Sequence, residues 1–188
     1  LLPCNRVAAA SWEAVPGAWN RLLTKIQCGV GILDSTVFGT DTFYNKNYLY
    51  LGWVQFNPET EAENGYSQGD IYVSYSASAG STWVVPYNLT KSTVADCADG
   101  DCASDHWFSM AERVDTAIYM QWVYDVSAGG SIQDEGVQLL TPVVAYHINI
   151  HHDSLKYKES ARLDWSPKRF IFPYVHIGNG QDSTIYIT

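Results

Sequence analysis

Four side chains near the middle of the sequence are of the types that acid–base chemistry uses. Asp125, Asp134 and Glu135 bracket a glycine-rich stretch, residues 127–136 (SAGGSIQDEG), and His106 stands beside Trp107. Two carboxyl groups held a few ångströms apart can divide glycoside hydrolysis between them, one as acid and one as nucleophile or base. The same oxygens can coordinate Ca2+. The plainer reading of this stretch is a solvated acidic loop. His106 could move a proton or contact a sugar, and a histidine among strand aromatics is also a common buried, hydrogen-bonded residue.

A second acidic group, Asp96, Asp99, Asp101 and Asp105, surrounds two cysteines. Asp99 and Asp101 are the Ca2+ candidates, but Ala98 occupies the third position at which an EF-hand loop needs an oxygen. A capped loop closed by a disulfide is the expectation, with no resident metal assigned. His151-His152-Asp153 reads as a strand-end turn, because adjacent strand residues point to opposite faces and grip one ion poorly. Asn88-Leu89-Thr90 is an N-glycosylation sequon, meaningful in a eukaryotic secretory host.

The cysteines are Cys4, Cys28, Cys97 and Cys102. Their even number, in a chain rich in Tyr, Trp, Asn and Gly, predicts an exported protein with Cys97–Cys102 and Cys4–Cys28 disulfides. Zinc is the rival, but no CxxC pair is present and no histidine stands at ligand spacing. The net charge of −9 excludes a nucleic-acid partner, since little here would neutralise phosphates. No run of 18 apolar residues encodes a membrane-spanning helix. The chain opens Leu1-Leu2-Pro3 and reads as a processed chain or a piece of a longer one.

These residues must be positioned by strands. With 46% hydrophobic and 14% aromatic residues, the 188-residue chain can bury a substantial core, and its Trp and Tyr suit both strands and sugar-stacking surfaces. Residues 11–27 carry a helical spacing of Trp12, Val15, Trp19, Leu22, Leu23 and Ile26, interrupted by Pro16-Gly17. A helix over about 19–27 and an irregular, disulfide-pinned strand are both open there. From residue 29 the pattern is β: a strand over 47–56, a polar loop over 57–68, and a hairpin over 69–90. In that hairpin Ile71, Val73 and Tyr75 alternate with polar residues, Gly80 makes the turn, residues 82–85 resume pairing and Pro86 ends it. Strands follow over 105–114, 116–125 and 139–150, and short ones over 169–176 and 184–187. One repeat stands out: Tyr50-x-x-Trp53-Val54 recurs as Tyr119-x-x-Trp122-Val123, Tyr75 is echoed by Tyr146, and Asp41-x-Phe43-Tyr44 by Asp105-x-Trp107-Phe108. A unit repeated after about seventy residues is what consecutive propeller blades would give.

The hairpin also carries Ser76-x-Ser78-x-Gly80-x-x-Trp83, which resembles the Asp box (BNR repeat), S-x-D-x-G-x-x-W, of sialidase-like β-propellers. In that family the box is a structural turn between the third and fourth strands of a blade, and its Trp plugs between strands. Ser78 replaces the Asp and is a weaker cap. The run from Cys97 through Asp105-His106-Trp107 to Asp125, Gly129-Gly130 and Glu135-Gly136 is similar to secreted bacterial members of the same family. The resemblance reaches over roughly residues 41–150. It implies an all-β chain of antiparallel four-stranded blades, secreted or at the cell surface. A closed ring needs about four to eight blades, so this implies an incomplete propeller of two to three blades with much apolar surface uncovered. The expected division is an N-terminal disulfide-tied segment (1–30), a first blade-like repeat (31–100), a second (101–155) and C-terminal strands (156–188).

The expected function is glycan binding or extracellular architecture, with Trp107, Asp125, Asp134 and Glu135 touching the ligand, and with a glycan or other chains completing the ring as partners. No cofactor is expected beyond optional Ca2+. The first alternative is a sialidase-type hydrolase, with Asp125, Glu135 and His106 as its candidate catalytic residues. True sialidases hold a carboxylate with three arginines, and Arg6, Arg21, Arg113, Arg162 and Arg169 match no such triad, so most of that site would lie outside this chain. The second alternative is a β-sandwich subunit of a filament or coat.

Overall fold

The structure is a computed structural model, and it describes residues 23–38 and 40–150 together with Val7. Ten strands form in chain order: β1 (Leu23–Gly31), β2 (Thr36–Phe38), β3 (Asp41–Phe43), β4 (Leu49–Glu61), β5 (Ser67–Ser76), β6 (Tyr87–Asn88), β7 (Ser104–Met110), β8 (Arg113–Val114), β9 (Ala117–Asp125) and β10 (Val143–Asn149). A single 3-10 turn lies at Ser131–Gln133, and there is no α-helix among the described residues. The described residues are all-β, and their principal sheets are antiparallel.

The first sheet runs β6-β5-β4-β1, each strand antiparallel to the next, with β8 added parallel to β1. The second runs β10-β9-β7, again antiparallel. The small β2–β3 hairpin hangs between β1 and β4. Aromatic and β-branched residues alternate along the central strands because a pleat sends neighbours to opposite faces. One face of the first sheet presents Tyr50, Val54, Phe56, Ile71 and Val73, which form one core with Phe108, Met110, Ile118, Met120 and Trp122 of the second. The sheets meet closely where side chains are absent. A Cβ on Gly52 would stand 2.4 Å from Cζ of Phe108, and one on Gly69 would stand 2.7 Å from the carbonyl oxygen of Asp105.

Asp70 ties the trailing edge of the first sheet together. Its Oδ1 accepts from the Thr90 hydroxyl (3.1 Å) and the Ser92 N–H (2.8 Å), and its Oδ2 accepts from Asn88 Nδ2 (2.8 Å). Ser92 Oγ lies 3.0 Å from Asp70 Oδ1 and 2.8 Å from Asp105 Oδ2, so its one proton serves either carboxylate and joins the loop to β7. Buried carboxylates persist when they are hydrogen-bonded in this way.

The turn over residues 76–82 is closed by two hydroxyls. Ser76 Oγ accepts from the N–H groups of Ser78 (3.2 Å) and Gly80 (2.8 Å), and Ser78 Oγ accepts from the N–H of Thr82 (2.8 Å). Ala79 and Gly80 take positive φ there. Trp83 is only half-buried. Pairing resumes after Pro86, with Tyr87 and Asn88 opposite Val73 and Tyr72, and not over 82–85 as expected. Pro86 therefore precedes the ladder, where its missing N–H costs nothing.

Other expectations change as well. Residues 23–31 form a strand, so of the two readings left open over 19–27 the described part takes the strand; residues 1–22 apart from Val7 lie outside the described residues. Cys28 lies on β1 with a free thiol, and Cys4, the partner expected for it, lies outside the described residues. Cys97–Cys102 is bonded. Residues 57–61 continue β4 through a register break between Asn57 and Glu61, because a bulge accommodates Pro58. The strand expected over 105–114 divides into β7 and β8, and β10 starts only after Pro142. The histidine pair at 151–152, the segments 169–176 and 184–187, and Arg6, Arg21, Arg162 and Arg169 lie outside the described residues; Arg113 is exposed on β8.

Two substitutions test this packing. Gly52→Ala places a methyl group against the Phe108 ring and is expected to cost about 1–3 kcal/mol in a urea melt. Ser78→Asp gives the Thr82 N–H a charged acceptor and is expected to stabilise by about 1 kcal/mol in the same assay.

Candidate functional site

The sheets repeat more closely than the sequence alone reveals. Between β1 and β4 the register breaks after Thr24↔Val54 and resumes at Gln27↔Gly52; between β7 and β9 it breaks after His106↔Val123 and resumes at Ser109↔Gln121. Each leading strand thus inserts one extra residue at the same place, a β-bulge. The first residue of each bulge, Lys25 and Trp107, has a φ of 52°. Non-glycine residues at positive φ carry strain that the surroundings must hold in place. The two bulge residues also meet, with Lys25 Nζ 4.0 Å from the Trp107 ring centroid.

This register also sorts the sequence echoes. Tyr50 and Trp53 correspond to Tyr119 and Trp122 on the central strands β4 and β9. Tyr75 pairs with Tyr50, but His147 and not Tyr146 pairs with Tyr119. Asp41 and Phe43 lie on β3, whereas Asp105 and Trp107 lie on β7, whose counterpart is β1, so that echo is not structural.

Beside the bulges opens a cleft of about 310 Å³, lined by Thr24, Lys25, Val54, Phe56, His106, Trp107, Val123, Asp125, Gly129, Gly130, Ser131, Glu135 and Thr141. It gathers four of the residues singled out in the sequence: His106, Trp107, Asp125 and Glu135. Asp134, in a left-handed conformation at the end of the 3-10 turn, is exposed and is not part of the cleft wall. Lys25 was missed, because its neighbours read equally as a helical face.

His106 packs edge-on against Phe56, with ring centroids 5.1 Å apart, and its Nε2 lies 2.5 Å from Ser104 Oγ. Ser104 Oγ also accepts from the Gly69 N–H (3.0 Å), so one hydroxyl ties β5 to the imidazole. Ser104 is fully buried and absent from the cleft wall, which makes it a support for the ring and not a nucleophile. Burial pushes the His106 pKa down to about 4, so the ring is neutral near pH 7. Burial raises the Asp125 carboxyl above the usual carboxylate value, opposed by the Ser127 N–H and reinforced by the charge of Asp99.

The remaining candidates have local partners. Asp99 Oδ1 accepts from Ser127 Oγ (2.6 Å) and Asn64 Nδ2 (3.1 Å), linking the disulfide loop to the glycine-rich loop. Asp101 is exposed. No group of three or more His, Cys, Asp or Glu that could hold a metal ion occurs among the described residues. In the sequon, Asn88 Nδ2 donates to Asp70 and Tyr72 and the Thr90 hydroxyl donates to Asp70, so both its polar side chains are engaged. No described helix is long and apolar enough to cross a membrane. Comparison with family models, curated proteins and solved structures gives no match for this chain.

The buried imidazole sets a pH dependence. The folded state resists protonating His106, so its contribution to stability is complete above the ordinary histidine value near 6.5 and is lost as pH falls from about 6.5 to about 4. Asp125 acts in the opposite sense near the acid end of that window. Because the ring still borders the cleft, the expected loss is on the order of 2 kcal/mol. His106→Gln should flatten this slope when urea melts are compared between pH 4 and 7.

Proposed function

We propose that this chain is a segment of an extracellular, sialidase-like β-propeller that binds glycans at the cleft between the two bulges. The observation that carries the reading is Trp107, 53% exposed at the cleft and held in place by Lys25. A rigid aromatic ring offers an apolar face to the C–H surface of a sugar, and carboxylates behind it accept hydroxyl hydrogen bonds. Asp125 and Glu135 stand in that place, and the hydroxyls of Thr24, Ser131 and Thr141 add further donors and acceptors. The propeller part of the reading is supported by the meander β1-β4-β5-β6, the second meander laid against it, and the shared bulge register. The Cys97–Cys102 disulfide supports an oxidising, extracellular compartment.

One observation favours hydrolysis as the second reading. Asp125, whose carboxyl burial raises above its ordinary value, shares the cleft with Glu135, and two carboxyl groups in unlike surroundings are what a glycosidase uses as acid and base.

A glycan array with the full chain separates these readings. Saturable binding without turnover is expected, with Trp107→Ala weakening it at least about 10-fold while circular dichroism is unchanged. Release of a fluorogenic glycoside that Glu135→Gln abolishes would establish the hydrolase instead. An array with no bound glycan would remove the ligand from the proposal.

A further inference from the structure

The glycine-rich wall of the cleft is closed at its neck by one buried hydroxyl. Ser127 Oγ accepts from the N–H of Val137 at 3.0 Å and so joins the two ends of the loop between them. Gly129, Gly130, Ser131 and Glu135, all on the cleft, lie inside that loop. The neck is tight: a Cβ on Gly136 would stand 2.8 Å from Ser127 Oγ and 2.5 Å from the Ala128 carbonyl oxygen. The Ser127 N–H in turn donates to Asp125 Oδ1 at 3.0 Å, the cleft carboxyl group two residues earlier. Ser127 is 2% exposed and does not itself border the cleft.

What orients that hydroxyl comes from outside the cleft. Asp99 Oδ1 accepts its proton at 2.6 Å, which leaves the oxygen's lone pairs for Val137. Asp99 is carried on the loop that the Cys97–Cys102 disulfide closes, and that loop is fastened to the same wall. The N–H groups of Gly100 and Cys102 both donate to the Val126 carbonyl, at 2.8 and 3.2 Å. Asn64 Nδ2 completes the brace, donating to Asp99 Oδ1 and to the Ala128 carbonyl at 3.1 and 2.9 Å. Hydrogen bonds to a charged acceptor are about twice as strong as neutral ones, so the Asp99 bond is the strongest single tie at the neck. Asp99 itself is exposed, so substituting it opens no cavity in the core.

We propose that Asp99 is a positioning residue of the cleft, holding the Asp125 carboxyl group and the loop that carries Glu135 in place through Ser127 without touching the ligand. The charges agree with the geometry. Asp125 shares the cleft with Lys25, His106 and Glu135, and Asp99 stands on the far side of Ser127 from it. Burial raises the Asp125 carboxyl above its ordinary value, the Ser127 N–H opposes this, and the charge of Asp99 adds to it. Removing that charge therefore lowers the Asp125 titration, whereas removing the acceptor loosens the loop, and the two effects are separable. This rests on the reading of the cleft as the ligand site, but neither effect needs a ligand, so failure of glycan binding and failure of this contact are told apart.

Hydrogen exchange and carboxyl-carbon NMR on the full chain test it. Asp99→Ala is expected to accelerate exchange of the Val137 amide at least about 10-fold while the amides of β4 and β5 keep their protection. Asp99→Asn keeps an oxygen acceptor for Ser127, so it should hold Val137 near the wild-type rate and yet move the Asp125 titration to lower pH. Ser127→Ala removes the hydroxyl from both partners and should accelerate Val137 at least as much as Asp99→Ala does. Four results would each overturn the proposal: an unchanged Val137 rate in Asp99→Ala, equal acceleration in Asp99→Asn and Asp99→Ala, acceleration that extends to β4 and β5, or an Asp125 titration unmoved in Asp99→Asn.

Discussion

The ring of Phe108 lies in a space that only a glycine leaves open. A Cβ on Gly52 would stand 2.4 Å from it, so the two sheets approach at that point to a distance the central strand β4 could not otherwise permit. Around this contact the apolar residues of β4 and β5 meet those of β7, β9 and β10 in one continuous core. Close packing of this kind makes the interface rigid and intolerant of added volume. The cleft depends on it too, because its walls come from the ends of both sheets and stay in register only while the sheets do.

The bulges are the second constraint. A flat pair of strands would leave Lys25 and Trp107 within the pleat, alternating with their neighbours. One inserted residue in each leading strand turns them out of the ladder at a φ of 52° and brings the ammonium group over the indole. Strain of this sort is maintained only where the surroundings over-determine it. Here it falls beside the buried imidazole of His106 and the carboxyl of Asp125.

Much of this was readable from residue order, and the failures share a cause. Ile71, Val73 and Tyr75 alternate cleanly and form β5; the aromatic run around Trp122 forms β9; and the five-residue spacing of Cys97 and Cys102 closes a loop. His106, Trp107, Asp125 and Glu135 could be named because their types are uncommon together in a glycine-rich setting. What could not be read depends on partners distant in sequence. Asn57 and Pro58 carry turn chemistry, yet β5 captures them as strand through a bulge. Asp70 looks like an ordinary strand-surface acid until Asn88, Thr90 and Ser92 fold over it. Lys25 lies in a stretch whose apolar spacing suits a helix, and only pairing with β4 decides otherwise. Tyr146 reads as the counterpart of Tyr75 in the second repeat, and the pairing of His147 with Tyr119 puts His147 there instead.

The clasp around Asp70 bears on the order of events during synthesis. Asn88 and Thr90 are free to meet a modifying enzyme only until β6 docks on β5, after which the amide nitrogen is committed to Asp70 and Tyr72. In a eukaryotic secretory host, attachment of an oligosaccharide would therefore race against closure of this edge. A chain modified first would carry its sugar where the carboxylate expects an amide, and the edge of the first sheet would be left ajar.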